Sequence, residues 1–201
     1  MKAYSQGITK EEFVNEMKKH QMQDNFVRGT YGKINDSGVF RGCAIGCGIR
    51  SISDLKGTAL DTSNHSLYEK HLGIPKWLAR LEDRIFETIS SDRVKLWPVQ
   101  FAEAINEGAD LSLALYPFLI VICKSVLNDF DHLKNPNVKK SIDDIIDALS
   151  RGEKNIDTLR ALRKAAAAYA AAAAAYAAAD ARTNRMGFLA DELLNILRNT
   201  K

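Results

Sequence analysis

The stretch IPKWLARLEDRIFETI, residues 74–89, is an amphipathic helix with one residue out of place. At 100° per residue, Trp77, Leu78, Leu81, Ile85, Phe86 and Ile89 fall in one sector. Arg80, Asp83, Arg84 and Glu87 fall outside it. Pro75 suits the first helical position, where the missing N–H costs nothing. The exception is Glu82, which lies inside the apolar sector between Leu78 and Phe86. A carboxylate on a buried face must find a partner or change its pKa. Glu82 therefore reads either as a structural hydrogen-bonding group or as a site carboxylate.

Outward from this helix the pattern stays helical. Thr9 and Glu12 form a capping box at the head of a helix predicted over residues 10–27, with Phe13, Val14 and Met17 on one face and His20 at its edge. TSNHSLYEKHLG gives a short helix capped by Ser63 or Asn64 and stopped by Gly73. WPVQFAEAINEG gives another, from Pro98 to Gly108. Asp110 caps the apolar helix that follows, which Pro117 should kink or restart. A further helix carries Val138, Ile142, Ile145, Ile146 and Leu149 on one side. The last segment, MGFLADELLNILRN, presents Leu189, Leu193, Ile196 and Leu197.

Residues 28–60 break the pattern. They hold seven of the twelve glycines (29, 32, 38, 42, 46, 48 and 57). Within them VFRGCAIGCGIRSI, residues 39–52, reads as a short strand or a short tight helix. The expected architecture is mainly α: a single helical body over residues 1–155 with this irregular segment packed on it. A long C-terminal helix over residues 156–201 completes it. Fourteen alanines between residues 165 and 181 favour one continuous helix, because alanine is the best helix former. Leu162, Tyr169 and Tyr176 recur every seven residues, a short heptad that implies homo-oligomerisation through this helix.

Composition removes several functions. A formal net charge of +3 in 201 residues lacks the concentrated positive charge of a duplex-DNA binder. The longest apolar run, LALYPFLIVIC, is shorter than the roughly 20 residues that span a bilayer, so no membrane role is expected. No apolar stretch follows Met1, so no secretory signal is expected, and three unpaired cysteines suit a reducing cytoplasm. GxxxxGK[ST] is absent, and GCAIGCG does not follow the dinucleotide-binding spacing. Cys43 and Cys47 are four apart with no second knuckle, so neither a metal site nor a cofactor is expected from their spacing. At helical spacing they read first as packing residues.

Two sets of chemistry-bearing residues remain. Arg28, Lys33, Arg41 and Arg50 gather around the glycine-rich segment, where free amides and cations could hold a small anionic ligand. Cys43, His65 and Glu82 offer a nucleophile, a base and an orienting group for a hydrolase or transferase. An apolar setting for Cys43 argues against that enzyme, so non-enzymatic binding is the leading expectation.

In GCAIGC, HSLYEKHLGIPKWLARLEDRIFE, WPVQFAEAI and GADLS the chain resembles a family of uncharacterised bacteriophage and bacterial proteins. These join a GCxxGC segment, an FGIP-W-LA-LED helix and an alanine-rich tail. The resemblance spans roughly residues 8–112 and the tail. It implies a phage accessory protein in the bacterial host's cytoplasm. Such a protein would counter host defence by sequestering a nucleotide-like ligand, or by binding a defence protein as inhibitor or adaptor.

Overall fold

In the computed structural model the stretch 40–51 divides at Gly42 and Cys43, being strand before them and helix after. Residues 1–129, 136–153, 155, 157, 160 and 179–201 are described. Helix α1 (Lys10–Met22) leads to a hairpin of β1 (Lys33–Ile34) antiparallel to β2 (Phe40–Arg41). Then come α2 (Ala44–Lys56), α3 (Ser66–Leu72), α4 (Lys76–Thr88) and α5 (Trp97–Ala104). A 3-10 turn (Leu111–Ala114) opens into α6 (Leu115–Asp129), followed by α7 (Pro136–Ser150) and α8 (Ala179–Asn199). The chain is mainly α, as expected.

Local signals account for most boundaries. Thr9 Oγ1 accepts the Glu12 amide at 3.2 Å, and Glu12 Oε2 accepts the Thr9 amide at 2.8 Å, closing the capping box. α1 ends at Met22 rather than running to residue 27. Asp24 takes φ +54°, and Phe26 leaves the helix to bridge Gly42 in parallel. Gly73 ends α3 in the left-handed region at φ +67°, where an added methyl group would also strike the Lys2 carbonyl. Pro117 falls in the first turn of α6, where it needs no donor, so it restarts the helix rather than kinking it.

α2 is the central element. Ala44, Ile45, Gly46, Cys47, Gly48, Ile49, Ser51 and Ile52 are all buried, and the helix packs on α1, α3 and α4. A helix with so wide an apolar face belongs inside a core, with Arg50, Asp54 and Lys56 toward its exposed edge. Its glycines set how closely neighbours approach. A methyl group on Gly46 would lie 1.8 Å from the Tyr31 carbonyl oxygen, and one on Gly48 would lie 1.9 Å from the Tyr68 hydroxyl. The segment 30–32 therefore rests directly on the first turn of α2.

The same core includes α8, which inserts Leu189, Ala190, Leu193, Leu194 and Leu197 against α4, α5 and α6. Asn106 Nδ2 donates to the carbonyls of Arg198 and Thr200 at 2.8 and 2.9 Å, fastening that end. Residues 3 and 4 are held similarly: the Ala3 amide donates to the Ala109 carbonyl, and the Tyr4 amide to that of Leu72. α7 packs on α6 and buries Ile142, Ala148 and Leu149. Residues 161–178, with the Leu162, Tyr169 and Tyr176 spacing and the oligomer expected from it, lie outside the described residues.

Overpacking a close backbone contact costs about 1–3 kcal/mol or more. Gly46→Ala should lower urea-unfolding stability by at least that amount, because a backbone carbonyl blocks the new methyl group. Gly48→Ala should cost less when combined with Tyr68→Phe, which removes the clashing hydroxyl. Wild-type stability in Gly46→Ala would contradict the packing described.

Candidate functional site

The four basic residues near the glycine-rich segment have different fates. Arg28 donates through Nε to the Phe86 carbonyl at 3.0 Å and through Nη2 to the Ile89 carbonyl, so it caps the end of α4. Arg41 donates to the Asp24 carbonyl at 2.8 and 3.2 Å and pairs with the Asp24 carboxylate. Both guanidinium groups are committed to backbone carbonyls. Lys33 and Arg50 instead border a groove of about 490 Å³ between the hairpin and the loop after α2. Phe40, Thr58 and Thr62 also line it. Arg50 lies 5.7 Å over the Phe40 ring and pairs with Asp54 at 2.9 Å. Among the described residues Lys33 has no ion-pair partner.

The second constellation forms where α2 begins. Cys43 is the N-cap of α2: its amide donates to the Thr30 carbonyl at 2.7 Å, and its Sγ accepts the Gly46 amide at 3.4 Å. Cys47, one turn on, faces the carbonyls of Asn25 and Gly42 and serves packing. Cys43 Sγ, a carboxylate oxygen of Asp83 and one of Glu87 lie within 4.8 Å of one another. Asp83 Oδ2 takes two neighbours, the Tyr31 hydroxyl at 3.3 Å and His65 Nε2 at 3.2 Å. The other oxygen, Asp83 Oδ1, is buried without a hydrogen bond of normal geometry. Glu87 accepts the Gly29 amide on both oxygens at 3.1 Å. The Tyr31 and His65 rings meet edge to face, 5.7 Å apart.

Of the expected trio, Cys43 and His65 both come close to one carboxylate, but that carboxylate is Asp83. His65 is bonded to Asp83 through Nε2 and faces the Ser63 carbonyl through Nδ1 at 3.2 Å. Burial raises the Cys43 thiol pKa well above its usual range, and the Asp83 charge adds to the effect. A helix N-terminus ordinarily lowers a thiol pKa. Here burial and two carboxylates outweigh it, so Cys43 is held as a thiol. Glu82 points into the core, as its place in the apolar sector predicted, and is 1% exposed. Glu82 Oε2 and Tyr68 Oη lack hydrogen bonds of normal geometry, yet the hydroxyl lies close enough to act on the carboxyl.

Asp83 and Glu87 fall outside the apolar sector of α4, and the helical pattern marks neither as a site residue. Their spacing did carry a signal. Two acids four apart on a helix repel each other and call for a reason. Tyr31 carried none. No known protein family, curated protein or solved structure matches this chain. What the site can do is read from its geometry.

Two measurements test this picture. Cys43 and Cys47 should react with iodoacetamide in the native protein near pH 8 far more slowly than free cysteine, and more slowly than the half-buried Cys123. Fast labelling at Cys43 would contradict the environment described. Glu82 gives a pH signature. Burial first, and the Asp83 charge second, push its pKa well above the ordinary 4.5. The folded chain then holds that proton more tightly than the unfolded chain. The resulting stability is complete below about pH 4.5 and is lost as pH rises toward the folded value. Glu82→Gln removes this dependence. Its Tm should exceed the wild-type value at pH 8, with the gap narrowing toward pH 5. Parallel pH profiles would refute the assignment.

Proposed function

We propose that this chain is a non-enzymatic binding protein whose groove beside the hairpin holds a small anionic ligand of nucleotide size. The observation that carries the reading is the pairing of Lys33, free of any ion pair among the described residues, with Arg50 over the Phe40 ring. Lys33, Arg50 with its partner Asp54, the Phe40 ring and the hydroxyls of Thr58 and Thr62 suit a ligand with a phosphate and a planar ring, the phosphate meeting Lys33 and competing with Asp54 for Arg50. A volume of about 490 Å³ is within the usual range of small-molecule sites. In the phage setting that the resemblance implies, such a protein would withhold a nucleotide signal from host defence.

A second reading has its own support. Ile34 is 67% exposed and Val39 39% exposed, and both stand on the hairpin beside the groove. Apolar side chains presented this way suit a protein partner bound by an inhibitor or adaptor.

Native mass spectrometry of the intact protein from its host, followed by calorimetric titration with ADP, distinguishes the two. A retained phosphate-bearing small molecule is expected. Lys33→Glu and Arg50→Ala should each weaken ADP binding at least tenfold, as expected for a charge-assisted contact of about 1.5–3 kcal/mol. Arg28→Ala should lower stability and leave affinity unchanged, because that side chain caps α4. No bound anion and no heat with ADP, together with a co-purified protein lost on Ile34→Asp, would replace the first reading with the second.

A further inference from the structure

We propose that Cys43, Asp83 and Glu87 form a binding site for a divalent transition-metal ion of the zinc class, separate from the anion groove. Four features of the cluster point to a cation.

The atoms that converge there are two carboxylate oxygens and a sulfur, which becomes a ligand once a metal displaces the thiol proton. Cys43 Sγ, an Asp83 oxygen and a Glu87 oxygen come within 4.8 Å of one another, and they arrive from α2 and α4 rather than from one acidic run. In a tetrahedral site with ligand bonds of 2.0–2.3 Å, neighbouring donor atoms stand about 3.3–3.8 Å apart. The cluster thus needs a contraction of about 1 Å.

Asp83 is divided in a way that suits a ligand. Its Oδ2 is occupied by the Tyr31 hydroxyl and His65 Nε2, while Oδ1 is buried without a hydrogen bond of normal geometry, the weakly donating Cys43 thiol being close enough to act on the carboxylate. A buried carboxylate oxygen so poorly satisfied is costly unless something positive meets it.

The surrounding groups hold the ligands as outer-shell partners do in metal sites. Ser63 fixes the His65 ring through Nδ1, and His65 in turn holds Asp83. Gly29 holds Glu87 through both oxygens.

Finally, one cysteine that the metal itself must deprotonate, two carboxylates and an adjacent imidazole are a mixed set that zinc, cobalt or ferrous iron accepts and magnesium or calcium does not favour. Three protein ligands leave a fourth position for water or a small ligand. His65 is not within reach of all three ligands, so it acts as the positioning residue for Asp83.

Cobalt(II) is the probe, because a sulfur ligand gives a near-ultraviolet charge-transfer band and a tetrahedral site gives strong visible bands. The intact reduced protein should take up one cobalt ion with both features, and zinc should displace it. Cys43→Ser should remove the charge-transfer band, and Glu87→Gln should weaken uptake at least tenfold. Cys123→Ser, on α6, should change neither. His65→Ala should weaken uptake while leaving the charge-transfer band in place. Circular dichroism reports folding, and should Cys43→Ser fail to fold, the exposed Glu87→Gln decides the matter. Absence of a sulfur band in folded wild type overturns the site. So does a band that survives Cys43→Ser, or affinity untouched by Glu87→Gln. Lys33→Glu leaves cobalt uptake intact if the metal site and the groove are separate.

Discussion

The contact between Gly46 and the Tyr31 carbonyl governs the centre of this fold. It places an irregular segment, residues 28–32, directly on the first turn of a buried helix. Any side chain at 46 would push that segment away, since an added carbon would lie 1.8 Å from the carbonyl oxygen. Lifting it would break the bond from the Cys43 amide to Thr30, and with it the N-cap geometry of α2. It would also withdraw the Gly29 amide from Glu87 and the Tyr31 hydroxyl from Asp83. One close approach thus positions both the helix and the acids across from it.

α4 shows how a single helix can present three acids to three environments. Glu82 faces the core beside Tyr68 and is kept neutral by burial. Asp83, one position on, turns by 100° toward Cys43 and His65. Glu87 follows one turn later at the rim, where the Gly29 amide meets it. The difference among them comes from direction, not composition. Burial without a donor favours a protonated carboxyl.

Much of the architecture was legible because its signals are local. The Thr9 capping box, Gly73 and the restart at Pro117 each depend on a few neighbouring residues. The overlong estimate for α1 failed for a reason beyond its own residues. Phe26 exchanges helical bonding for a bridge to Gly42, sixteen positions on. The same limit applies to the site. Cys43, His65, Asp83 and Glu87 meet through tertiary packing, and no spacing along the chain encodes that meeting. The basic residues illustrate the reverse error: their clustering in sequence was real, but Arg28 and Arg41 are used up by backbone carbonyls. Glu82 was found because its anomaly, a charge in an apolar sector, is visible in one helix alone.

The groove and the acidic cluster share a short piece of backbone. Tyr31 reaches Asp83, and Lys33, two residues on, faces the groove. In a regular strand residues two apart point to the same side. Gly32 breaks that rule, with φ +152° and a position where an added carbon would lie 2.3 Å from the Phe40 ring. Only glycine fits there, both by conformation and by space. The joint lets consecutive segments serve two faces of the protein. Phe40 lies against the joint on one side, and the Tyr31 carbonyl rests on Gly46 in the buried first turn of α2 on the other, so the turn between the two faces is fixed by packing from both.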